Sequence, residues 1–207
     1  TNLEIDSKFV KDNDIKIVRR NSGGGAVYTD PGCLQFSFIT TKKSHKNIFE
    51  RYVKNIVDSV NELGINASFT GRNDILSDGK KFSGNAEYIY KDKMVIHGTI
   101  LFNSDFNNLI GSLTPDKSKL SSNAVSSVKA RVCNIGEKLD ISIEEFYNYL
   151  VDKIATKKIN LNTLKVEKIV TQQNFLKNMG IMQRAEIISK KMKFIWNNMR
   201  MSICEMV

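Results

Sequence analysis

Three segments of the sequence carry residues whose types and spacing could support chemistry on an anionic ligand. The first reads RRNSGGGAVY and runs from Arg19 to Tyr28. Adjacent glycines allow positive φ angles, and successive exposed N–H groups then form a concave anion site beside the two arginines. The segment lacks the Gly-Lys-Ser/Thr of a P-loop and the spacing of a dinucleotide-binding turn. A wide hairpin turn with solvated arginines explains the same residues equally well.

The second segment joins the turn Gly-Arg-Asn-Asp at 71–74 to the stretch KKFSGNA at 80–86. Here Lys81 enters a predicted strand beside a Ser-Gly pair, where its ammonium group could neutralise a phosphate or a developing oxyanion. From the spacing alone, an ordinary β-turn with two solvated lysines is the favoured interpretation.

The third segment reads IHGTIL and places His97 beside a glycine in a predicted strand. A ligand or a second backbone can approach closely at such a glycine. A single histidine in a strand is nevertheless more often a structural hydrogen-bonding group than a catalyst. The sequence contains no HExxH motif, no Ser/His/Asp order and no cluster spaced for a metal.

The elements around these segments predict an α+β fold, because strands are grouped early and interrupted by one long helix. Apolar residues at helical spacing between 48 and 63 predict that helix, and Gly64 stands where its C-terminal cap belongs. Ser142 and Glu145 form a capping box that opens another helix. The remaining predictions are strands at 15–18, 34–38 and 65–69, a β-hairpin at 86–102, a short helix at 106–113, a surface loop at 116–127 and a last hairpin near 194–203.

Composition narrows the classes of function that the chain can have. The 207 residues include only two prolines and no apolar run approaching the roughly 18 residues of a membrane span. Cys33, Cys133 and Cys204 are odd in number and widely spaced, which favours a reducing cytoplasm over a disulfide framework. The net charge of +9 suits an anionic partner, but it is dispersed and also fits a Lys-rich background. No nucleic-acid-binding motif accompanies it.

Taken together and in this order, the three segments resemble the lipoate–protein ligase family. The resemblance extends over residues 1–138, and a coincidence of this many ordered motifs is very improbable. The matching stretches are Arg19 to Tyr28, Gly71 to Asp74, Lys81 to Ala86, His97 to Thr99, Leu113 to Lys117 and Ser127 to Ile135.

The resemblance implies a mixed, mainly antiparallel sheet with flanking helices, a fold shared with biotin–protein ligases. It implies a two-step reaction, in which lipoate and ATP give lipoyl-AMP and a carrier lysine then takes the acyl group. The implied cofactors are ATP and Mg²⁺, with the metal held mainly by phosphates and not by a protein cage. The implied partners are the lipoyl domains of 2-oxoacid dehydrogenase E2 subunits and the glycine-cleavage H protein, in the cytoplasm and without nucleic acid or membrane.

The resemblance also assigns roles to individual residues. Lys81 matches the family lysine that contacts the acyl carbonyl and the phosphate, and is the catalytic candidate. Asp74, Lys81 and Thr99 are expected to bind ATP, and Val27 and Phe36 are expected to line an apolar tunnel for the acyl tail. The expected lipoate and acyl-adenylate contacts are Arg20, Ser22, Gly23, Gly24, Gly25, Ala26, Val27, Asn85, Ala86 and His97.

The sequence departs from the family pattern in ways that leave other functions open. After Tyr28 the family commonly has His-Asp-x-Gly-Asn, whereas residues 29–33 read TDPGC. We expect residues 1–207 to be a catalytic domain without its opening N-terminal segment and without an accessory C-terminal domain, poorly soluble or inactive alone. The alternatives are an ATP-independent octanoyl or lipoyl transferase that uses Cys33 and an inactive fragment or binding subunit.

Replacing Gly24 by valine tests whether the glycine-rich loop wraps a ligand through its backbone. If Gly24 needs a positive φ angle, Gly24→Val should abolish lipoate binding and leave the fold largely intact. Titration calorimetry of the variant and the parent with lipoate measures the effect. Equal affinities would make the loop an ordinary turn.

Overall fold

The computed structural model describes residues 4–20, 22–41, 48–90, 93–113, 131–155, 184–188 and 204–205. Its helices are α1 (Ser7–Asp12), α2 (Ile48–Glu62), α3 (Phe106–Leu113) and α4 (Ile143–Ile154), with a 3-10 helix at Ile135–Lys138. Its strands are β1 (Lys16–Arg20), β2 (Val27–Thr29), β3 (Cys33–Thr41), β4 (Ala67–Phe69), β5 (Asp74–Ser77), β6 (Lys80–Tyr90), β7 (Lys93–Leu101), β8 (Arg184–Ile188) and β9 (Cys204–Glu205).

The strands form two sheets. The main sheet has the order β4-β5-β6-β7-β3-β9, in which the first five strands are antiparallel and β9 runs parallel to β3. The smaller sheet has the order β1-β8-β2, with β8 antiparallel to β1 and parallel to β2. The mixed, mainly antiparallel α+β architecture predicted from the sequence is therefore confirmed.

One face of the main sheet packs against α2 and α4 and forms the main core. Helix α2 buries Val53 and Val60 completely, since apolar residues recur along one of its faces. Strand β7 contributes Ile96 and Ile100, and α4 contributes Phe146. Successive strand residues point to opposite faces, and those of β7 on the other face, such as His97 and Thr99, are only partly buried. We call this the open face.

The end of α2 explains why the following strand is shorter than predicted. Gly64 has a φ angle of 84° and its N–H donates to Asn61 O at 2.9 Å, while the Ile65 N–H donates to Val60 O at 3.2 Å. These two bonds form a Schellman motif, which confirms the predicted glycine cap. Ile65 still belongs to this helix end, so β4 begins only at Ala67.

The predicted β-hairpin is also present, and it is longer than predicted. Strand β6 begins at Lys80 and not at Ala86, because polar Ser83 and Asn85 and the intervening glycine hide the apolar alternation of its first half. The short helix at 106–113 and the capping box of Ser142 are confirmed. The predicted loop at 116–127 and the predicted hairpin near 194–203 lie outside the described residues. No helix within the described ranges is long and apolar enough to cross a membrane.

A second, smaller core holds the N-terminal part of the chain against the rest. Ile5, Val10, Ile15 and Tyr28 are buried together, and α1 and α3 pack around them. Asp6 caps α1 by accepting the Phe9 N–H at 2.8 Å. This core fixes the chain on both sides of the glycine-rich loop.

Gly32 offers a test of how tightly the turn before β3 packs against the end of β7. A Cβ atom at Gly32 would lie 1.9 Å from Asn103 O, a backbone atom that cannot move aside. Gly32→Ala should therefore lower the free energy of unfolding by about 2 kcal/mol or more, measured by urea denaturation. Gly23→Ala is the matched control, because nothing lies within 4 Å of its added methyl group. Equal denaturation midpoints for the two variants would contradict this packing.

Candidate active site

Six of the predicted site residues lie on the main sheet, and its register brings five of them to the open face. Residues directly opposite each other on neighbouring strands share a face. His97 pairs with Ala86 on one side and with Ser37 on the other. Thr99 pairs with Gly84, which in turn pairs with Asp74. Two adjacent rows of small and polar residues therefore cross this face.

A β-bulge places Lys81 on the same face. Ile75 pairs with Ser83 and Leu76 pairs with Lys81, so Phe82 has no partner on β5. Phe82 is completely buried in the main core. In an unbroken strand Lys81 would share a face with Ser83, which is itself buried. The extra residue instead turns the Lys81 side chain towards Gly84, where an added Cβ would lie 3.1 Å from Lys81 Nζ.

The Lys81 ammonium group pairs with Asp74 on the open face. Lys81 Nζ lies 2.7 Å from Asp74 Oδ1, and the two side chains are 38% and 30% exposed. The segment around Val132 fixes the Lys81 backbone through a parallel bridge, since the Lys81 N–H donates to Arg131 O at 2.8 Å and its carbonyl accepts the Cys133 N–H at 3.0 Å. The structure thus combines a rigid backbone with a positive group that solvent and a ligand can reach.

The glycine-rich loop approaches this face through Ser22. Buried Ser22 hydrogen-bonds to His97, with Oγ 2.5 Å from Nε2. Gly24 has a φ angle of 107°, which confirms the positive φ predicted for the loop. Gly23, Gly24 and Gly25 are exposed, as an anion-binding backbone requires.

Strands β1 and β2 hold the two ends of the glycine-rich loop. Ala26 packs against the small core, and Val27 begins β2 half-buried. Arg20 is the last residue of β1 and stands at the start of the loop. The loop therefore runs from β1 to β2 with its three glycines between two anchored ends.

Asn85 lies on the opposite, helix-facing side of the sheet. It pairs with Gly98, and a Cβ at Gly98 would lie 2.3 Å from Asn85 Oδ1 and 2.6 Å from Phe36 Cζ. The Asn85 Nδ2 group donates to Asn73 O at 3.0 Å and so holds the turn before β5. Phe36 packs against the main core from the same side, and its place in the wall of an acyl tunnel stays a prediction. Successive strand residues point to opposite faces, so the sequence alone indicates that Asn85 and Ala86 lie on different sides of the sheet.

The sequence analysis noted the Ser-Gly pair beside Lys81 but assigned no role to Gly84, and it missed Glu4. Gly84 leaves the space through which the Lys81 side chain passes, and its signal was a glycine three positions after the lysine in one strand. Glu4 contacts the glycine-rich loop from 22 positions away, and no local pattern marks it.

The residues on the open face fit the way in which ATP and Mg²⁺ are usually held together. No group of three His, Cys, Asp or Glu side chains that could hold a metal occurs within the described ranges. Mg²⁺ is commonly bound by one or two carboxylates together with substrate phosphates, and it keeps several waters. Asp74 supplies one such carboxylate next to Lys81.

The two cysteines with described side chains lack the features of a nucleophile. Cys33 is 1% exposed. Cys133 donates to Lys80 O at 3.7 Å, and burial raises the pKa of its thiol. A reactive cysteine needs access and a lowered pKa. The structure therefore gives no support to a transferase mechanism through Cys33.

Comparison with known proteins identifies the class and then the family. Residues 1–155 match the sequence family described as "Lipoyl protein ligase A/B catalytic domain". A bi-partite lipoate protein ligase from Thermoplasma acidophilum, described with its E2 lipoyl domain as an archaeal lipoylation system, is similar in structure. The TM-score is 0.67 at 31% identity, over 73% of this chain and 61% of that one. The fold is thus that of lipoate–protein ligases, and the chain belongs to the lipoyl protein ligase A/B catalytic-domain family.

Other similar proteins carry related names. "Lipoate-protein ligase LplJ" of Bacillus subtilis is 41% identical over 154 residues, covering 73% of this chain and 46% of that protein. A lipoate-protein ligase A solved with ATP has a TM-score of 0.62 at 28% identity, over 72% of this chain and 62% of that one. Plasmodium falciparum LipL1, solved with lipoate, has a TM-score of 0.61 at 33% identity, over 73% of this chain and 42% of that one. The chain spans about half the length of the curated relatives it matches.

Alkylation distinguishes buried cysteines from a catalytic thiol. In the folded protein, iodoacetamide should leave Cys33 unmodified, because its side chain is 1% exposed. It should modify Cys133 more slowly than free cysteine at pH 8, since the raised thiol pKa reduces the thiolate fraction at any pH below it. Mass spectrometry of peptides measures the two modification rates. In urea, both cysteines should react at the rate of free cysteine. Rapid modification of Cys33 in the folded protein would revive the transferase alternative.

Proposed function

We propose that this chain carries the active site of an ATP-dependent lipoate–protein ligase, and that residues 1–207 belong to its catalytic domain. The observation that carries the proposal is the position of Lys81. The β-bulge turns its ammonium group onto the open sheet face, where Asp74 pairs with it and where Ser22 joins the glycine-rich loop to His97. The similarity to proteins solved with ATP and with lipoate supports the choice of substrates.

In the first step a carboxylate oxygen of lipoate attacks the α-phosphorus of ATP. The bond from that phosphorus to the bridging oxygen breaks, and pyrophosphate leaves with its electron pair. Two anions must approach each other, so positive charge lowers the barrier. Lys81 supplies this charge at the α-phosphate oxygens, and Arg20 is proposed to add to it from the start of the loop. Mg²⁺ would neutralise the polyphosphate, with Asp74 as its protein ligand.

In the second step a carrier lysine attacks the acyl carbonyl of lipoyl-AMP. The bond from the carbonyl carbon to the phosphate oxygen breaks, AMP leaves, and the attacking amine loses a proton. Negative charge develops on the carbonyl oxygen, where the same Lys81 ammonium group can stabilise it. One positive group between acyl and phosphate thus serves both steps.

The remaining residues of the open face are proposed to bind and orient the substrates. The N–H groups of Gly23, Gly24 and Gly25 form an anion-binding concavity, which Ser22 and His97 hold against the sheet. Ala86 and Thr99 form part of the floor, and Val27 is proposed to contact the acyl tail. Asn85 acts from the other side of the sheet by holding the turn that leads to Asp74.

The proposed acceptors are lipoyl domains of 2-oxoacid dehydrogenase E2 subunits and the glycine-cleavage H protein, in the cytoplasm. The net charge of +9 would favour the approach of an acidic carrier domain. A structural relative is described together with its E2 lipoyl domain, which supports the first of these acceptors.

The pair Lys80 and Lys81 tests the proposed role of the ammonium group. Lys81→Ala should lower both the rate of lipoyl-AMP formation and the rate of transfer from pre-formed lipoyl-AMP, each by about 100-fold. Pyrophosphate release measures the first step, and lipoylation of a lipoyl domain measures the second. Both assays should use the intact native protein.

Lys80→Ala is the matched control. Lys80 is exposed and precedes Lys81 on the same strand, so its side chain should point to the other face and its removal should change little. Damage from Lys80→Ala alone would show that the strand register is wrong. Full activity of both variants would remove Lys81 from the active site.

A further inference from the structure

The glycine-rich loop is held at both ends by side chains. His97 contacts its first part through Ser22, and Glu4 contacts its last part through Ala26. The Ala26 N–H donates to Glu4 Oε2 at 2.8 Å. A Cβ built on Gly25 would lie 3.7 Å from both oxygens of the same carboxylate, so the carboxylate also lies against Gly25. At the other end, Ser22 Oγ lies 2.5 Å from His97 Nε2. The three glycines therefore lie between two side-chain tethers from distant parts of the chain.

The backbone next to Glu4 is firmly anchored. Ile5 is buried in the small core with Tyr28, which follows the loop. The Asp6 N–H donates to Ser112 O at 3.0 Å, and the Asp6 carboxylate caps α1 by accepting the Phe9 N–H at 2.8 Å. The Glu4 carboxylate thus reaches the loop from a fixed base, although its side chain is exposed.

A loop with three successive glycines needs such tethers. Glycine loses more conformational freedom on ordering than any other residue. A loop that orders only when its ligand arrives binds more weakly than one that is already ordered. A charged acceptor gives a stronger hydrogen bond to a backbone N–H than a neutral one does.

We propose that Glu4 is a positioning residue, which fixes the glycine-rich loop in its ligand-binding shape through the Ala26 N–H and does not itself contact the ligand. This role rests on the proposed function for its effect on lipoate and ATP. The hydrogen bond also excludes the Ala26 N–H from ligand binding.

The opposite role for the same contact is a placeholder. A carboxylate is an anion, and Glu4 would then occupy the Ala26 N–H only until an anionic ligand displaces it. The two roles predict changes of opposite sign when the carboxylate is removed. The anchoring of Ile5 and Asp6 beside Glu4 favours the tether.

The first measurement does not depend on ligase activity. Hydrogen exchange of the ligand-free protein should become at least tenfold faster in peptides that contain residues 22–26 in Glu4→Ala. It should stay near the parent rate in Glu4→Gln, because the amide oxygen accepts the same hydrogen bond. Glu50→Ala, at an exposed glutamate in the first turn of α2, is the control and should change nothing in this loop. Unchanged loop exchange in Glu4→Ala, or equal acceleration in Glu4→Gln, would overturn the proposal.

The second measurement follows the ligands. Glu4→Ala should raise the dissociation constants or KM values for lipoate and ATP about tenfold, which corresponds to about 1.4 kcal/mol, and should change kcat little. Glu4→Gln should restore most of the loss. Tighter binding by Glu4→Ala would identify a placeholder and overturn the tether. A parent protein that neither binds nor activates lipoate would refute the proposed function instead, and the exchange result would still decide the role of Glu4.

Discussion

The position of Lys81 on the open face depends on one extra residue in β6. With Phe82 unpaired, the strand keeps Ser83 and Asn85 on the helix side and brings Lys81 to the side of Gly84. A strand without this bulge would aim the Lys81 ammonium group into the main core, where an unpaired charge is very costly. The same bulge buries the Phe82 ring, so the stability of the core and the position of the charged group are set by a single irregularity.

Two glycines on opposite faces of the sheet serve different purposes: Gly98 allows close packing on the helix side, and Gly84 allows room for Lys81 on the open side. Gly98 gives room on the helix side to Asn85 and Phe36, and either side chain would collide with a Cβ there. Gly84 gives room on the open side to the Lys81 side chain, whose flexible end lies over it. A substitution at Gly98 would disturb packing against Asn85 and Phe36, whereas one at Gly84 would displace the flexible end of Lys81.

Local patterns in the sequence predicted the elements well, since helix caps and alternation are short-range signals. Gly64 and Ser142 marked helix ends correctly because their hydrogen bonds join residues a few positions apart. Contacts between distant segments could not be predicted in this way. The bond of Ser22 to His97 spans 75 positions, and that of Ala26 to Glu4 spans 22. The bulge was also hidden, because KKFSGNA offers no apolar alternation that would reveal its register.

The ion pair of Lys81 and Asp74 is suited to an exchange of partners. Both side chains are partly exposed, and exposed pairs of this kind contribute about 1 kcal/mol or less to stability. In the proposed function, the polyphosphate of ATP would offer Lys81 more negative charge and more acceptor atoms than one carboxylate does, and would take the ammonium group at little cost. Asp74 would then be free to bind Mg²⁺, which accompanies the phosphates. Until that exchange, Asp74 keeps the ammonium group over Gly84, and the group needs no large reorientation when the anion arrives.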